Sequence, residues 1–152
     1  MAFTNTVETV GDAALIRSII DRSITELNCN ITTSIRQYAF HACTALKSVN
    51  FPSVTSVALG AFRNCSALEK AEFGAAADFG NNAFYGCSKL GTVILRSTDQ
   101  LCTLTGTPFA NTPIASGTGY IYVPAALVDQ YKGAASPTPS ALRIVSTISS
   151  SS

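Results

Sequence analysis

The chain has 152 residues, of which 47% are hydrophobic and 12% are charged, and its formal net charge is +1. A chain of this length fits one domain with a single continuous core. The low net charge provides no field that would attract nucleic acid, so nucleic acid is not an expected partner. The longest apolar runs are shorter than the ~20 residues that a membrane-spanning helix needs, so membrane insertion is not expected either.

The N-terminal segment lacks the features of a secretory signal peptide and contains a predicted helix. Residues 1–12 include Glu8 and Asp12 but no lysine or arginine, whereas a signal peptide starts with basic residues and continues with an apolar block. Either a leader was removed, or export does not use that route. In residues 12–22 apolar side chains recur at helical spacing after Asp12, which can cap the helix.

Residues 39–95 carry one pattern three times, with each element 22 residues after its counterpart. The pattern is A-F-x-x-C-[ST]-x-L-x-x-[VA]-x-[FL], and it begins at Ala39, Ala61 and Ala83. A period in the low twenties with fixed apolar slots is typical of a solenoid, in which each coil buries its face on its neighbours. The register predicts one strand in each coil, at residues 24–29, 46–51, 68–73 and 90–95.

Two further elements are predicted in each coil. A second extended segment is indicated by apolar residues that share the 22-residue step, namely Ile35, Val57 and Phe79. The Ala-Phe phrase predicts a short helical turn whose aromatic rings stack inside the core, and these rings are Phe40, Phe62 and Phe84. An aromatic ladder at a fixed slot is interpreted as core rather than as a ligand platform.

Three of the five cysteines, Cys43, Cys65 and Cys87, occupy the same slot of the repeat. Equivalent positions in stacked coils lie ~4.8 Å apart, a distance that a disulfide tolerates. Equivalent side chains point the same way, however, and buried free cysteine behaves as a small apolar residue, so a reduced core ladder is predicted. A zinc site that also uses His41 is the alternative, although no C-x-x-C pair is present. No cofactor is expected.

Catalytic residues are not evident. His41 is the only histidine, and Arg63 and Tyr85 occupy its slot in the next two coils. A slot that varies so freely is expected to face solvent. A dyad of His41 with Cys43 is conceivable, but Cys43 shares an inward slot with cysteines that have no such neighbour. Carboxylates are scattered, and residues 117–119 lack the rest of a phosphate-binding loop. An enzyme is therefore not expected.

The period changes after Leu95. The sequence at 108–111 resembles the Ala-Phe phrase, but Phe109 lies 25 residues after Phe84, which indicates a degenerate last coil. The remaining elements are a strand at 120–123, a short helix that Pro124 opens, an edge strand at 142–145 and a loose tail.

These repeats resemble the BspA-like leucine-rich repeat family, whose members carry an A-F-x-x-C-x-x-L phrase before a strand that ends in an apolar pair. The segment 120–132 is similar to the C-terminal end of short members from gut-type bacteria and their phages. The resemblance implies a right-handed leucine-rich-repeat superhelix, β-rich with short helical turns and about four 22-residue coils. One domain is expected, with a capping helix at 1–22, coils at 23–115 and a C-terminal cap and tail at 116–152.

The resemblance also implies a recognition role at a bacterial surface. Stacked strands present outward residues that the fold leaves free, on a ribbon about 15 to 20 Å long. This candidate binding surface comprises Glu26, Asn28, Ser48, Asn50, Lys70, Glu72, Thr92 and Ile94. The expected partner is a protein or a glycan, and a homo-oligomer stays open. The alternative is a structural component of a phage or prophage tail or another surface assembly, with a virion location in place of secretion or the cell surface.

Overall fold

A computed structural model describes residues 2–4, 9–10, 25–28, 32–98, 100–104, 108–132 and 144–146. The chain forms a parallel β-solenoid of about five turns with little helix, as the 22-residue period predicts. Each coil adds one strand to a larger sheet and one to a smaller sheet, because its two apolar segments must both be buried against the neighbouring coils. Among the described residues no helix is long and apolar enough to cross a membrane.

Sheet A is the larger sheet, and all of its strand pairs are parallel. Its strands lie in the order β1 (Ala2–Thr4), β3 (Glu26–Asn28), β5 (Ser48–Phe51), β7 (Lys70–Phe73), β9 (Thr92–Leu95), β10 (Tyr120–Val123) and β11 (Ile144–Ser146). Sheet B contains β2 (Thr9–Val10), β4 (Ser34–Ile35), β6 (Ser56–Val57) and β8 (Asp78–Phe79), also parallel. Both predicted strands of each coil are thus present, and those of sheet A are shorter than predicted.

The stack extends one coil further toward the N-terminus than the repeat in the sequence. Strand β1 pairs with β3, with Ala2 opposite Glu26, and β2 pairs with β4, with Thr9 opposite Ser34. These steps are longer than 22 residues, so the first coil does not match the repeat. The predicted capping helix at 12–22 lies outside the described residues, and its role as a cap stays a prediction.

The Ala-Phe phrases form the third face of the solenoid as hydrogen-bonded turns, where the sequence predicts short helical turns. Within one coil the amide of Ala39 donates to the carbonyl of Arg36 (3.2 Å). Alternate amides point along the stack instead, so that Phe40 N–H donates to the carbonyl of Ala61 at 2.8 Å. The backbone groups of the turns are therefore shared between their own coil and the next one, which makes the stack continuous on this face.

Two slots in each turn have a left-handed backbone. The first slot contains Tyr38 (φ 56°), Gly60 (φ 63°) and Asn82 (φ 57°), and the second contains Ala42 (φ 59°), Asn64 (φ 61°), Gly86 (φ 76°) and Asn111 (φ 58°). Glycine and asparagine adopt this conformation more easily than other residues, which explains why they recur in these slots. Tyr38 and Ala42, in the first of these turns, depart from that preference.

The core is a ladder of stacked aromatic rings, as the repeat predicts. Ring centroids lie 5.2 Å apart between Phe40 and Phe62, 5.1 Å between Phe62 and Phe84, and 5.4 Å between Phe84 and Phe109. Each ring is almost fully buried. Stacking of this kind adds about 0.5–1.5 kcal/mol per pair to the effect of burial.

The C-terminal end of the stack contains the short helices α1 (Pro113–Ser116) and α2 (Val128–Lys132), with a 3-10 helix (Ala125–Leu127) before α2. Thr112 caps α1 by accepting a hydrogen bond from Ala115 N–H (3.3 Å). The predicted helix after Pro124 is thus split in two, whereas α1 is absent from the sequence prediction.

Candidate functional site

The outer face of sheet A carries two rows of side chains in register. One row contains Glu26, Ser48, Lys70, Thr92 and Tyr120, and the other contains Asn28, Asn50, Glu72, Ile94 and Tyr122. Their neighbours along the strands are buried, since successive side chains of a strand point to opposite faces. All eight residues of the predicted binding surface lie on this face, so the strand alternation places them together as expected. Their role in binding stays a prediction.

A charged cluster lies at the centre of the outer face. Glu72 forms ion pairs with Arg96 and with Lys70, whose Nζ lies 3.8 Å from the carboxylate. The side chain of Glu72 is 19% exposed, whereas those of Lys70 and Arg96 are 51% and 46% exposed. The ion pairs hold the carboxylate in one place between two cations. Arg96 is missing from the predicted surface, although it directly follows the last strand slot of its repeat.

An aromatic patch extends the outer face toward the C-terminal end. Tyr120 pairs with Thr92 and Tyr122 with Ile94, so both tyrosines continue the two rows. Their ring centroids lie 6.3 Å apart, and both side chains are half-buried. The sequence predicts this strand but places it in the cap. With seven strands at ~4.8 Å spacing the face is about 29 Å long, which is longer than the predicted ribbon.

The repeated cysteines are buried and free, as the ladder predicts. They also form hydrogen bonds, because the thiol of Cys65 donates to the carbonyl of Phe40 and that of Cys87 to the carbonyl of Phe62, each at 3.1 Å. Hydrogen bonding with Cys43 lowers the pKa of the Cys65 thiol, but hydrogen bonding with Cys87 and burial outweigh it, so the pKa is raised. A neutral thiol of this kind is a poor nucleophile and a poor metal ligand.

His41 lies on the surface, as its variable slot predicts, and its ring makes an edge contact with Tyr38 at 6.0 Å. Cys43 is buried, so the two side chains point to opposite sides of the turn. The hypothetical dyad is therefore not assembled. Within the described part of the chain no group of three potential metal ligands lies close together.

A family model described as the BspA type leucine-rich repeat region matches residues 18–121 in six copies. No curated protein and no solved structure matches the chain. The matched residues include the three Ala-Phe phrases, the central strands of both sheets and the start of the aromatic patch. Repeats of this family generally serve as non-catalytic modules for protein interaction. Because the match covers more than half of the sequence, the chain belongs to the BspA-type leucine-rich repeat family.

Proposed function

We propose that this protein is a non-catalytic recognition module that binds a protein partner through the outer face of sheet A. The observation that carries the proposal is the pair of side-chain rows in parallel register, which ends in the aromatic patch. Core packing determines the inward residues of the same strands and leaves the outward ones free to specify a partner.

The composition of the outer face supports a protein partner. Tyrosine and arginine are enriched in protein interfaces, because they combine large contact area with directional polar groups. Here Tyr120 and Tyr122 adjoin the row of Ile94, and Arg96 is held beside them by Glu72. An aromatic and aliphatic region next to a fixed charged cluster resembles the usual arrangement of an apolar interface centre with a polar rim.

The length of the face is also suitable for a protein partner. A specific interface buries about 800 Å² on each partner, which corresponds to a patch about 28 Å across. The outer face spans that distance along the stack, and the connecting loops would supply the remaining width. The family resemblance adds a bacterial surface as the expected place of this interaction.

A defined library tests the proposal. The immobilised protein is screened against a displayed random-peptide library and, in parallel, against a glycan array. We expect selected peptides to lose at least tenfold in affinity when Lys70 and Glu72 are both replaced by alanine. The melting temperature should be nearly unchanged, since exposed ion pairs contribute about 0–1 kcal/mol.

The matched control replaces Lys89 and Asp129, which are exposed outside this face, and so leaves the net charge unchanged as well. Peptides that bind this control normally but fail to bind the Lys70→Ala, Glu72→Ala protein and a Tyr122→Ala protein would support the proposal. Peptides that bind all variants equally would place the site elsewhere. Glycan ligands alone would change the class of partner, and a fixed trimer or ring in light scattering would favour an assembly component.

A further inference from the structure

A polar depression lies at the corner of the solenoid where the chain passes from sheet A to sheet B. Its volume is about 470 Å³, within the range of small-molecule sites. Gly74, Ala75 and Ala76 of one coil line it together with residues of the two neighbouring coils, which are Thr55 on one side and Arg96, Ser97, Thr98 and Gln100 on the other. We call it the corner pocket.

The corner pocket arises where the repeat becomes longer. Four residues connect β5 to β6, and four connect β7 to β8. After β9, seven residues precede Thr103, which forms an isolated bridge with Asp78 and so continues sheet B. The three additional residues are the change of period from 22 to 25. The stack does not require this insertion, and insertions in repeat proteins often occur in loops that bind ligands.

The floor of the pocket is low because its residues are small. A Cβ atom on Gly74 would lie 2.5 Å from the carbonyl oxygen of Pro52, so only glycine fits against the preceding corner. Ala75 and Ala76 follow, and their methyl groups occupy little of the space between the two neighbouring coils.

The longer connection is anchored at both ends, so the pocket is preformed. Arg96 N–H donates to the carbonyl of Phe73, and Thr103 N–H donates to the carbonyl of Ala77, each at 2.9 Å. Cys102 is buried, and its sulfur accepts a hydrogen bond from Ala77 N–H (3.3 Å). Leu101 packs on the core beside it. A ligand would therefore not have to order this wall on binding.

The lining groups can both donate and accept hydrogen bonds. Hydroxyl groups come from Thr55, Ser97 and Thr98, and an amide comes from Gln100. The guanidinium of Arg96 is paired with Glu72, so its charge is compensated while donors on the fork remain available. Adjacent hydroxyl groups of a sugar match this combination of fork, amide and hydroxyls, whereas a charged ligand would find little net charge.

We infer that the corner pocket binds a neutral saccharide of one or two rings. The site is separate from the face that the proposed protein partner would occupy, although Arg96 adjoins both. Either site can therefore fail its test while the other passes.

Nuclear magnetic resonance titration of the full chain provides the test. The probes are neutral mono- and disaccharides, namely glucose, galactose, mannose, N-acetylglucosamine, lactose and maltose, with glucuronic acid and glycerol for comparison. We expect at least one neutral sugar to produce saturable shifts of the backbone amide signals of Gly74, Ala76 and Thr98, with a dissociation constant in the millimolar range or tighter. Glycerol should produce no saturable shift.

Two variants connect the shifts to the pocket. Gln100→Ala should weaken sugar binding at least fivefold, and Ala76→Phe should abolish it by filling the space. Arg36→Ala is the matched control for Arg96→Ala, because Arg36 is exposed outside the pocket. Unchanged melting curves show that each variant is folded, and if Ala76→Phe does not fold, Gln100→Ala and Arg96→Ala decide the result.

Three results would overturn the inference. The first is the absence of a saturable shift with every neutral sugar. The second is a response to glucuronic acid alone, which would contradict the neutral class of ligand. The third is sugar-dependent shifts that persist unchanged in Gln100→Ala and Arg96→Ala, because they would originate outside the corner pocket.

Discussion

The central coils and the C-terminal end of the solenoid satisfy their buried polar groups in different ways. In the central coils the thiol of Cys65 donates to the carbonyl of Phe40 in the preceding coil, and Cys87 repeats this with Phe62. In the last coil Thr112 takes the place of the cysteine, and its hydroxyl donates to the carbonyl of Phe109 in the same coil at 2.6 Å. The repeating contact between coils becomes a local one.

Tyr131 shows the same change. Its hydroxyl accepts a hydrogen bond from Cys102 N–H at 2.7 Å, and its ring is buried at the end of the core. A side chain from α2 thus occupies a position that a strand of a further coil would fill in a longer array. The comparison indicates that stacking alone satisfies the interior coils, whereas the end of the stack depends on individual residues that occur once.

Replacement of a central ring should have the largest effect. Phe62 stacks between Phe40 and Phe84 and also lies 5.9 Å from Phe51, so Phe62→Ala should cost about 3–5 kcal/mol of unfolding free energy. Phe109→Ala, at the end of the ladder, should cost about 0.5–1.5 kcal/mol less, since it removes one stacked pair fewer. Urea unfolding of both variants measures the difference, and equal losses would contradict the comparison.

The next effect concerns the end of the stack. Tyr131→Phe retains the buried ring but leaves Cys102 N–H without its acceptor, so we expect a loss of about 1–3 kcal/mol. Tyr122→Phe is the control, because that tyrosine is half-buried on the outer face and its replacement should have a much smaller effect. A Tyr131→Phe protein as stable as the parent would mean that the hydroxyl is not required at this end.

Alkaline pH should destabilise both regions. Burial raises the pKa of the Cys102 thiol and of the Tyr131 hydroxyl, and the pKa of Cys65 is also raised. Acids with a raised pKa in the folded state bind more protons there than in the unfolded chain, so stability is constant below pH ~8 and falls above pH ~9. Urea unfolding between pH 7 and 10.5 measures this decrease, which should be shallower above pH 10 in Tyr131→Phe. A flat profile would contradict the burial of these groups.

The smallest effect distinguishes the first turn from the more regular turns that follow. Ala42 has φ 59° in a slot where later coils have asparagine or glycine, so Ala42→Gly should stabilise the fold by about 0.4–1 kcal/mol. Ala45→Gly, at a position without positive φ in the same turn, is the control and should destabilise it slightly. Thermal melting measures both, and a loss of stability in Ala42→Gly would show that its methyl group is needed.

The sequence by itself determined the regular part of this protein. Residues that recur at a fixed step must occupy equivalent places in a stack, and this fixed the two strands of each coil, the Phe40 to Phe84 ladder and the inward cysteines. Strand alternation also placed the eight candidate residues on one face. Local pattern was sufficient because each coil contacts only its neighbours.

Only the tertiary structure decided the irregular parts. Strand β1 joins sheet A although its step does not match the repeat, and the aromatic patch joins the outer face although the sequence assigns it to the cap. Arg96 and the corner pocket depend on how an inserted connection is anchored. These features arise from pairings between segments with no common period, so their positions are set by which hydrogen bonds and apolar surfaces the finished stack leaves to be satisfied.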